Sequence, residues 1–430
     1  MFDRPDSGEF AILVHINFFA EKEREDVQEF QELVSSAGVE ALCVVTGSRD
    51  KPDPKYFIGK GKLEEVRFEL EHAEADVVLF NHALSPSQQR NLEASLGCRV
   101  IDRTGVILDI FAQRARTHEG KLQVELAQLE YMSTRLIRGW THLERQKGGI
   151  GLRGPGETQL ETDRRLLRAR IKTISGRLGK VRKQRDQGRK ARVKAEIPTV
   201  SLVGYTNAGK STLFNRLTAS DVYAADKLFA TLDPTLRRLV IPDVGHTILV
   251  DTVGFIRHLP HKLVDAFRAT LEETCSATLL LHVIDCHDEN RLDNITQVEL
   301  VLKEIGADDI PTLMVYNKLD LLDEREPRVD RDEDGIPRRV WVSAQTGEGL
   351  DLLQQVVAEL LGNEIIHKKI ELKPELGKFR ALLYAANAIL SEQIDEKGLT
   401  LIEIRMQNAD YKKLLRQSGI QEHELTFLEL

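Results

Sequence analysis

The sequence lacks long apolar runs, paired cysteines and a basic leader segment at its start. Its apolar stretches, such as residues 277–284, are far too short to span a lipid bilayer. The four cysteines are scattered, at Cys43, Cys98, Cys275 and Cys286. None belongs to a C-x-x-C pair, which argues against structural zinc and for reduced thiols. We therefore expect no signal peptide, no membrane insertion and a cytoplasmic protein, with peripheral membrane association left open.

What is present is a chain of 430 residues that is 41% hydrophobic and 30% charged. This length exceeds one ordinary core, so we expect roughly two to four domains in a soluble protein. The net charge of −8 hides an asymmetry, because residues 135–194 contain 19 Lys and Arg against 5 Asp and Glu. That segment carries +14, which leaves −22 for the other 370 residues. A basic segment on an acidic body is the electrostatic footprint of a nucleic-acid partner.

Residues 1–102 alternate strand-like and helix-like patterns. The strand-like stretches lie at residues 11–18, 40–46, 76–80 and 99–102. Strands that alternate with helices predict a parallel sheet, so this region is predicted to be a small α/β domain. The basic, glycine-punctuated segment 55–62 is either a solvated turn or a phosphate contact, and the pattern does not decide between them.

Residues 103–196 carry two heptad seams. Apolar side chains recur at three- and four-residue steps over residues 122–143 and again over 167–181. The glycine-rich segment 146–156 between them cannot be helical. The pattern predicts an antiparallel helical hairpin with a glycine-rich tip.

The charge of this hairpin favours RNA or a ribosome as its partner. The alternative is a solvated coiled coil, in which both signs of charge are usually mixed. Arg145, Lys147 and Arg153 near the tip are the candidate phosphate contacts. DNA is a weaker candidate, since no groove-reading module is visible.

Residues 197–362 contain the pattern G-x-x-x-x-G-K-S between a predicted strand and a predicted helix. In that context the pattern predicts a phosphate-binding P-loop. Backbone amides would surround phosphate oxygens, Lys210 would supply charge and Ser211 would offer a hydroxyl to Mg²⁺. The candidate binding residues are Gly204, Tyr205, Thr206, Asn207, Ala208, Gly209, Lys210 and Ser211.

A second motif, D-x-x-G, ends another predicted strand. It consists of Asp251, Thr252, Val253 and Gly254. The Asp251 carboxylate can hold Mg²⁺ through a water molecule, and the Gly254 amide can meet a γ-phosphate. The order of the two motifs along the chain is that of a nucleotide-hydrolysing domain.

Two further segments predict specificity for guanine. They are Asn317, Lys318, Leu319 and Asp320, and then Ser343, Ala344 and Gln345. The Asp320 carboxylate can accept hydrogen bonds from both guanine N1 and N2, a pair of donors that adenine does not offer. Asn317 can tie its segment to the P-loop, and Lys318 can lie over the base. The later segment can cover guanine O6 with a backbone amide.

The nucleotide motifs resemble those of translation-factor-related GTPases, and residues 1–362 resemble the HflX family of ribosome-associated GTPases. The likeness includes the tip sequence at 148–159 and the segment at 229–235. It implies GTP hydrolysis by a monomer with Mg²⁺, and binding of the 50S subunit and its 23S rRNA. It also implies the splitting of stalled or idle 70S ribosomes, or a role in ribosome rescue or biogenesis.

The resemblance also assigns residues to the switch segment. Nucleotide contacts are implied for Phe229, Ala230, Thr231, Leu232 and Asp233. Thr231 is the implied switch threonine, which would join Ser211 on Mg²⁺, and Thr235 is the alternative. The implied catalytic residues are Lys210, Thr231 and Gly254.

Position 255 departs from the usual pattern. Many GTPases have a glutamine after D-x-x-G that orients the attacking water. This chain has Phe255 there, whose side chain can neither donate nor accept the hydrogen bonds needed to orient water. Slow intrinsic turnover is therefore expected. Asn207 matches the P-loop asparagine of potassium-using GTPases, whose side-chain oxygen helps to hold K⁺ against the phosphates. The equal alternative is that Asn207 only tolerates a left-handed turn.

Residues 363–430 predict a small α+β domain without evident chemistry. The chain is thus expected to be a multidomain α/β protein with four parts, at 1–102, 103–196, 197–362 and 363–430. Two other functions stay open. One is an RNA-binding or RNA-unwinding protein with a regulatory GTP switch, and the other is a signalling GTPase with a protein partner.

Overall fold

The computed structural model contains three β-sheets within the part of the chain that it describes. The described residues are 10–18, 26–139, 155–194, 197–219, 228–229, 231–242, 244–256, 271, 273–322, 326–372, 376–386, 388–394, 400–407, 411, 414–415, 418, 420 and 425–428. Among these residues, no helix has the length and apolar character needed to cross a membrane.

The first sheet is parallel throughout, as the alternation of patterns predicts. Its order is β2-β1-β3-β4, with β1 Phe10–Phe18, β2 Glu40–Arg49, β3 Val77–Phe80 and β4 Arg99–Asp102. The helices between these strands are α1 Val27–Ser36, α2 Lys60–His72 and α3 Pro86–Leu96. Neighbouring residues of β1 enter different apolar cores, Ile12 one and Leu13 the other. Helices therefore cover both faces of the sheet, as parallel sheets require.

The predicted helical hairpin is present. Its arms are α5 His118–Gly139 and α6 Pro155–Lys194. The prediction that segment 146–156 is non-helical is wrong at its last two residues, because proline fits the first turn of a helix. Arg170 pairs with Glu125 at 2.6 Å, and Arg185 pairs with Glu119 at 2.8 Å. The residue number of the partner in α5 falls as the residue number in α6 rises, so the two arms run in opposite directions.

Helix α4, Arg103–Arg114, precedes the hairpin and does not extend it. Its side chains share an apolar core with α1, where Phe111 joins Phe30 and Leu33. Residues 103–114 are predicted to belong with the hairpin, whereas their packing ties them to the first sheet and its helices. The domain boundary at residue 102 stays a prediction.

Arm α5 is fixed to the carboxyl edge of the first sheet by a buried carboxylate. Tyr131 Oη donates to Asp102 Oδ1 at 2.6 Å, and Arg135 Nη2 donates to Asp102 Oδ2 at 2.7 Å. The Arg135 guanidinium also lies 3.4 Å from the centre of the Tyr131 ring. Asp102 is buried, so these charge-assisted hydrogen bonds are poorly screened by water.

The second sheet has seven strands in the order β10-β11-β9-β8-β5-β7-β6. The strands are β5 Thr199–Val203, β6 Thr235–Ile241, β7 Gly245–Asp251, β8 Leu279–Asp285, β9 Thr312–Asn317, β10 Arg328–Arg331 and β11 Pro337–Trp341. The longer helices are α7 Lys210–Thr218, α8 Arg291–Ile305 and α9 Leu350–Glu364. The five inner strands are parallel and the two edge strands are antiparallel. The nucleotide motifs follow β5, β7, β9 and β11, at one edge of the sheet, which is where open α/β sheets bind ligands.

The third sheet is antiparallel, in the order β13-β14-β12-β15. Its elements are β12 Ile365–Leu372, helix α10 Gly377–Ala385, β13 Ile389–Ile394, β14 Thr400–Gln407 and β15 Thr426–Leu428. The small α+β domain predicted for the C-terminal part of the chain is confirmed, while its boundary at residue 362 stays a prediction. Arg405 Nη2 donates to the Val244 carbonyl at 2.9 Å, which joins this sheet to the second one.

One apolar core connects the first sheet with the nucleotide domain. Leu228, Phe229 and Leu232 of the predicted switch segment pack in the same cluster as side chains of α1 and α4. The Phe229 ring meets the Phe111 ring edge-on, with 4.7 Å between their centres. The switch segment is therefore an interior element between two domains.

We predict that Phe111→Ala lowers the free energy of unfolding by about 3–5 kcal/mol, because it leaves a cavity where two domains meet. Urea denaturation followed by circular dichroism measures the change. Phe68→Ala is the matched control, since the Phe68 side chain is 64% exposed and its loss is expected to cost less than about 0.5 kcal/mol. Equal destabilisation by both variants would contradict the shared core.

Candidate active site

Two glycines of the P-loop occupy positions that no other residue could fill. Gly204 has φ 147°, and a Cβ there would lie 2.3 Å from the Val283 carbonyl oxygen. Gly209 has φ 90°, and a Cβ there would lie 2.2 Å from Asn317 Nδ2. Both backbone conformations are rare for L side chains. The loop is thus held against β8 and β9, with the first turn of α7 directly after it.

Lys210 is buried and its ammonium group lies inside the loop. Nζ donates to the Tyr205 carbonyl at 2.7 Å and to the Gly204 carbonyl at 3.1 Å. Burial lowers the pKa of Lys210 to about 8, and the nearby Asp251 carboxylate opposes that shift. The positive charge therefore lies inside the loop in a poorly solvated place, where its attraction for an anion is strong.

Ser211, Thr231 and Asp251 come together, although they are far apart in the sequence. Ser211 Oγ lies 2.7 Å from Thr231 Oγ1 and donates to Asp251 Oδ2 at 2.7 Å. Burial raises the pKa of Asp251, while the Ser211 hydroxyl opposes the shift. Within the described residues, Asp251 Oδ1 is buried without a hydrogen-bond partner. Two hydroxyls and a carboxylate with one orphaned oxygen form the hard oxygen set that Mg²⁺ prefers.

The D-x-x-G segment lies directly on the P-loop. Thr206 N donates to the Phe255 carbonyl at 2.8 Å, and Phe255 N donates to the Gly204 carbonyl at 3.1 Å. A Cβ on Gly254 would lie 2.8 Å from Thr206 Cγ2, so only glycine fits there. Thr252 Oγ1 donates to the Leu202 carbonyl at 2.6 Å. Thr252 and the apolar Val253 and Phe255 are buried, and their side chains brace the segment.

The guanine-specificity residues form a single polar network behind the P-loop. Asn317 Nδ2 donates to the Ala208 carbonyl, and Asn317 Oδ1 accepts from Ala344 N, each at 2.9 Å. Ser343 Oγ donates to Asp320. Asn317 therefore ties the two base-binding segments to the phosphate-binding loop, as its position predicts. Lys318, with φ 66°, pairs with Asp285 at 2.7 Å.

The remaining predicted residues take various positions. Leu319 is buried, and the Gln345 carbonyl accepts from Arg216. Asn207 has φ 62°, a left-handed conformation that fits both interpretations of this residue. Arg145, Lys147, Arg153 and Ala230 lie outside the described residues.

Backbone and side-chain groups of the switch segment and of the preceding Leu228 contact other domains. Leu228 N donates to Ser36 Oγ at 3.0 Å, and the Asp233 carboxylate accepts from Thr117. The hydroxyl that reaches Ser211 belongs to Thr231, while Thr235 begins β6 and pairs with β7. The predicted nucleotide contacts of Phe229, Leu232 and Asp233 stay predictions, and any such contact would come from their backbone or from a rearranged segment.

Sequence reasoning missed the contact between the P-loop and α1. Tyr205 Oη donates to Glu29, which also pairs with Arg103. No local pattern could reveal this contact, because 176 residues separate Tyr205 from Glu29. The two side chains also line a cavity of about 340 Å³ that lies between the P-loop, β8 and α1.

Family models match the chain in three consecutive pieces. They are described as GTP-binding GTPase N-terminal, over residues 24–112, GTP-binding GTPase middle region, over 114–192, and 50S ribosome-binding GTPase, over 199–318. A curated GTPase HflX from Escherichia coli is 63% identical over 97% of this chain and 98% of its own length.

The chain belongs to the HflX family of GTPases.

A second HflX GTPase, from Magnetococcus marinus, is 47% identical over 87% of both chains. A solved structure of SsGBP in complex with GDP covers 81% of this chain and 98% of its own, at 25% identity and a TM-score of 0.47. As an HflX GTPase, this protein binds and hydrolyses GTP. P-loop GTPases use Mg²⁺, and the cluster of Ser211, Thr231 and Asp251 is suited to that ion.

We predict that Asp320→Asn weakens GDP binding by about 100-fold or more, because a charged acceptor of two hydrogen bonds is replaced by an amide. The amide presents an N–H group to the guanine donors, but it would complement xanthine, so XDP should gain relative to GDP. Titration with fluorescent GDP and XDP measures both effects. Asp334→Asn on the exposed surface is the matched control, and equal GDP affinity in both variants would contradict the assignment.

We predict an acid-dependent loss of stability that originates at His282. Burial lowers the pKa of His282 to about 4, with help from the nearby Lys210 charge. The unfolded chain takes up this proton near pH 6.5, so stability falls as the pH drops from 6.5 to 4, by up to about 3 kcal/mol. His282→Gln should flatten the pH dependence of the unfolding free energy in that window, whatever its absolute stability.

His246→Gln, at an exposed position, is the control for His282 and should keep the wild-type slope. An unchanged slope in His282→Gln would show that this buried imidazole takes up no proton on unfolding.

Proposed function

We propose that this HflX GTPase acts as a monomer, binds the 50S subunit and its 23S rRNA through the helical hairpin, and splits stalled or idle ribosomes. The observation that carries the proposal is the basic, exposed surface of α6. Its exposed cations include Arg165, Arg168, Lys172, Arg177, Lys180 and Lys183. rRNA is dense in phosphate, and a long arm that bears one sign of charge suits it. The family description of residues 199–318 as a 50S ribosome-binding GTPase supports the same partner.

The GTP site would act as the timer of this reaction. The P-loop amides and Lys210 would hold the β- and γ-phosphates, and Gly254 would offer its amide to the γ-phosphate. Ser211 and Thr231 would hold Mg²⁺ directly and Asp251 through water. Mg²⁺ supplies charge stabilisation to the phosphate oxygens. GTP would thereby favour the ribosome-bound arrangement of the switch segment, and hydrolysis would release it.

The chain offers no side chain at position 255 that could orient the attacking water. Phe255 is buried against the P-loop, and its backbone pairs with the loop. We therefore propose that the ribosome orders the switch segment for hydrolysis. Potassium is the second proposed cofactor, with the Asn207 side-chain oxygen helping to hold it beside the phosphates.

We predict that 50S subunits raise the GTPase rate at least tenfold, and more in potassium than in sodium buffer. The triple variant Arg165→Gln, Arg168→Gln, Lys172→Gln should weaken 50S binding and lower the slope of log affinity against log salt by about 2. Sedimentation with 50S subunits at several salt concentrations, together with phosphate release, measures these effects.

The matched control for the triple variant is Arg237→Gln, Arg238→Gln, Arg339→Gln, which removes three exposed charges from the nucleotide domain. It should bind 50S subunits with the wild-type slope. Turnover that ribosomes leave unchanged would refute ribosome activation, and equal losses in both triple variants would refute the role of the hairpin.

A further inference from the structure

Asp233 of the switch segment holds the first turn of the hairpin. Its Oδ2 accepts from the backbone N–H groups of Arg116 and Thr117, each at 2.9 Å, and its Oδ1 accepts from Thr117 Oγ1 at 2.6 Å. The Thr117 hydroxyl in turn accepts from Gly120 N at 2.9 Å. One carboxylate of the nucleotide domain thus holds the two backbone N–H groups that directly precede α5, and it also holds the Thr117 hydroxyl that caps the first turn of the helix.

The distance between Asp233 and the metal-binding cluster is short. Thr231, whose hydroxyl lies 2.7 Å from Ser211, is two residues before Asp233. Two residues of extended chain span at most about 7 Å, and the intervening Leu232 is buried. Pro234 follows with a restricted φ angle. Because this connection is short and Leu232 is buried, a displacement of Thr231 is transmitted almost fully to Asp233.

The carboxylate also presses against the backbone of α5 at Gly120. A Cβ at this position would lie 1.9 Å from Asp233 Oδ1 and 2.8 Å from its Cγ. The glycines of the other arm, Gly176 and Gly179, have nothing within 4 Å of such an atom. Glycine is unfavourable in a helix, so its presence in the first turn of α5 is explained by the space that Asp233 needs.

We propose that Asp233 is a positioning residue that couples the nucleotide state of the P-loop to the hairpin. When the γ-phosphate draws Thr231 inward, Asp233 holds Thr117 in the position that caps α5. When Thr231 is released, Asp233 moves with it, and the cap formed by Thr117 loses its support. The proposal deepens the proposed function, on which it rests for the role of the hairpin, but the coupling itself is a property of the free protein.

Hydrogen exchange on the full-length free protein tests the coupling. Peptides that cover residues 116–126 are compared in GDP and in a non-hydrolysable GTP analogue. In the wild type, exchange in this turn should be at least threefold slower with the analogue. In Gly120→Ala the added methyl group displaces the carboxylate, so the turn should exchange fast and equally in both nucleotides.

Two matched variants make this result specific. Gly176→Ala makes the same substitution in open space on α6 and should keep the full nucleotide difference. Since alanine favours helices more than glycine does, faster exchange in Gly120→Ala would run against local propensity and would report the lost carboxylate. Thr117→Val removes, without adding a clash, the hydroxyl that donates to Asp233 and accepts from Gly120 N, so it should reduce the difference and serves if Gly120→Ala folds poorly. A wild type without a nucleotide difference, or a full difference retained in both Gly120→Ala and Thr117→Val, overturns the proposal.

Sedimentation with 50S subunits separates this proposal from the proposed function. Wild type and Gly176→Ala should bind 50S subunits more tightly with the GTP analogue than with GDP. In Gly120→Ala that ratio should fall toward one, while binding itself persists because the hairpin keeps its charges. If the wild type does not bind 50S subunits at all, the proposed function fails, and the exchange experiment still decides the coupling.

Discussion

The structure depends on the burial of the switch segment between two domains. Phe229 packs against Phe111 and shares one apolar core with α1 and α4, so the segment that contacts Ser211 through Thr231 is also part of a domain interface. Ordinary switch loops lie in solvent and move at little cost. Here a movement of the segment has to disturb the packing of the first sheet and the hairpin, because protein interiors are close-packed. The segment that lies beside the P-loop is therefore also the segment on which the packing of the domains depends.

Three aspartates of the nucleotide domain lie in different surroundings, and these surroundings suit them to different roles. Asp251 is fully buried beside two hydroxyls, which suits it to a metal ion. Asp320 accepts from Ser343 at the base-binding end, where it can receive the donors of guanine. Asp233 accepts backbone and hydroxyl donors from α5, outside the nucleotide domain. The residue type is the same in each case, and the neighbouring donors decide whether it is suited to a metal ion, to the base or to another domain.

The sequence was sufficient for the parts of the site whose spacing is local. The strand–loop–helix pattern around Gly204 and Gly209 requires glycine for steric reasons, since a Cβ at either position would lie only 2.3 Å or 2.2 Å from a neighbouring atom. The parallel sheet of the N-terminal region and the hairpin also follow from the alternation and periodicity of the sequence. The contacts of Thr117 with Asp233 and of Tyr205 with Glu29 could not be predicted, since they join residues more than a hundred positions apart. A threonine at Thr117 indicates a helix start, but nothing nearby indicates its partner.

Arm α5 is held at two points by carboxylates from different domains. Asp102 holds it at Tyr131, and Asp233 holds it at Thr117. At 1.5 Å per residue, these points lie about 20 Å apart along the helix axis. In mechanical terms, α5 behaves as a rigid rod that is fixed at Tyr131 and has a second, movable support at Thr117. A shift of about 2 Å at the movable support turns such a rod by about 6°. In the proposed coupling, the paired arm α6 would turn with α5, and its basic surface would rotate about Tyr131.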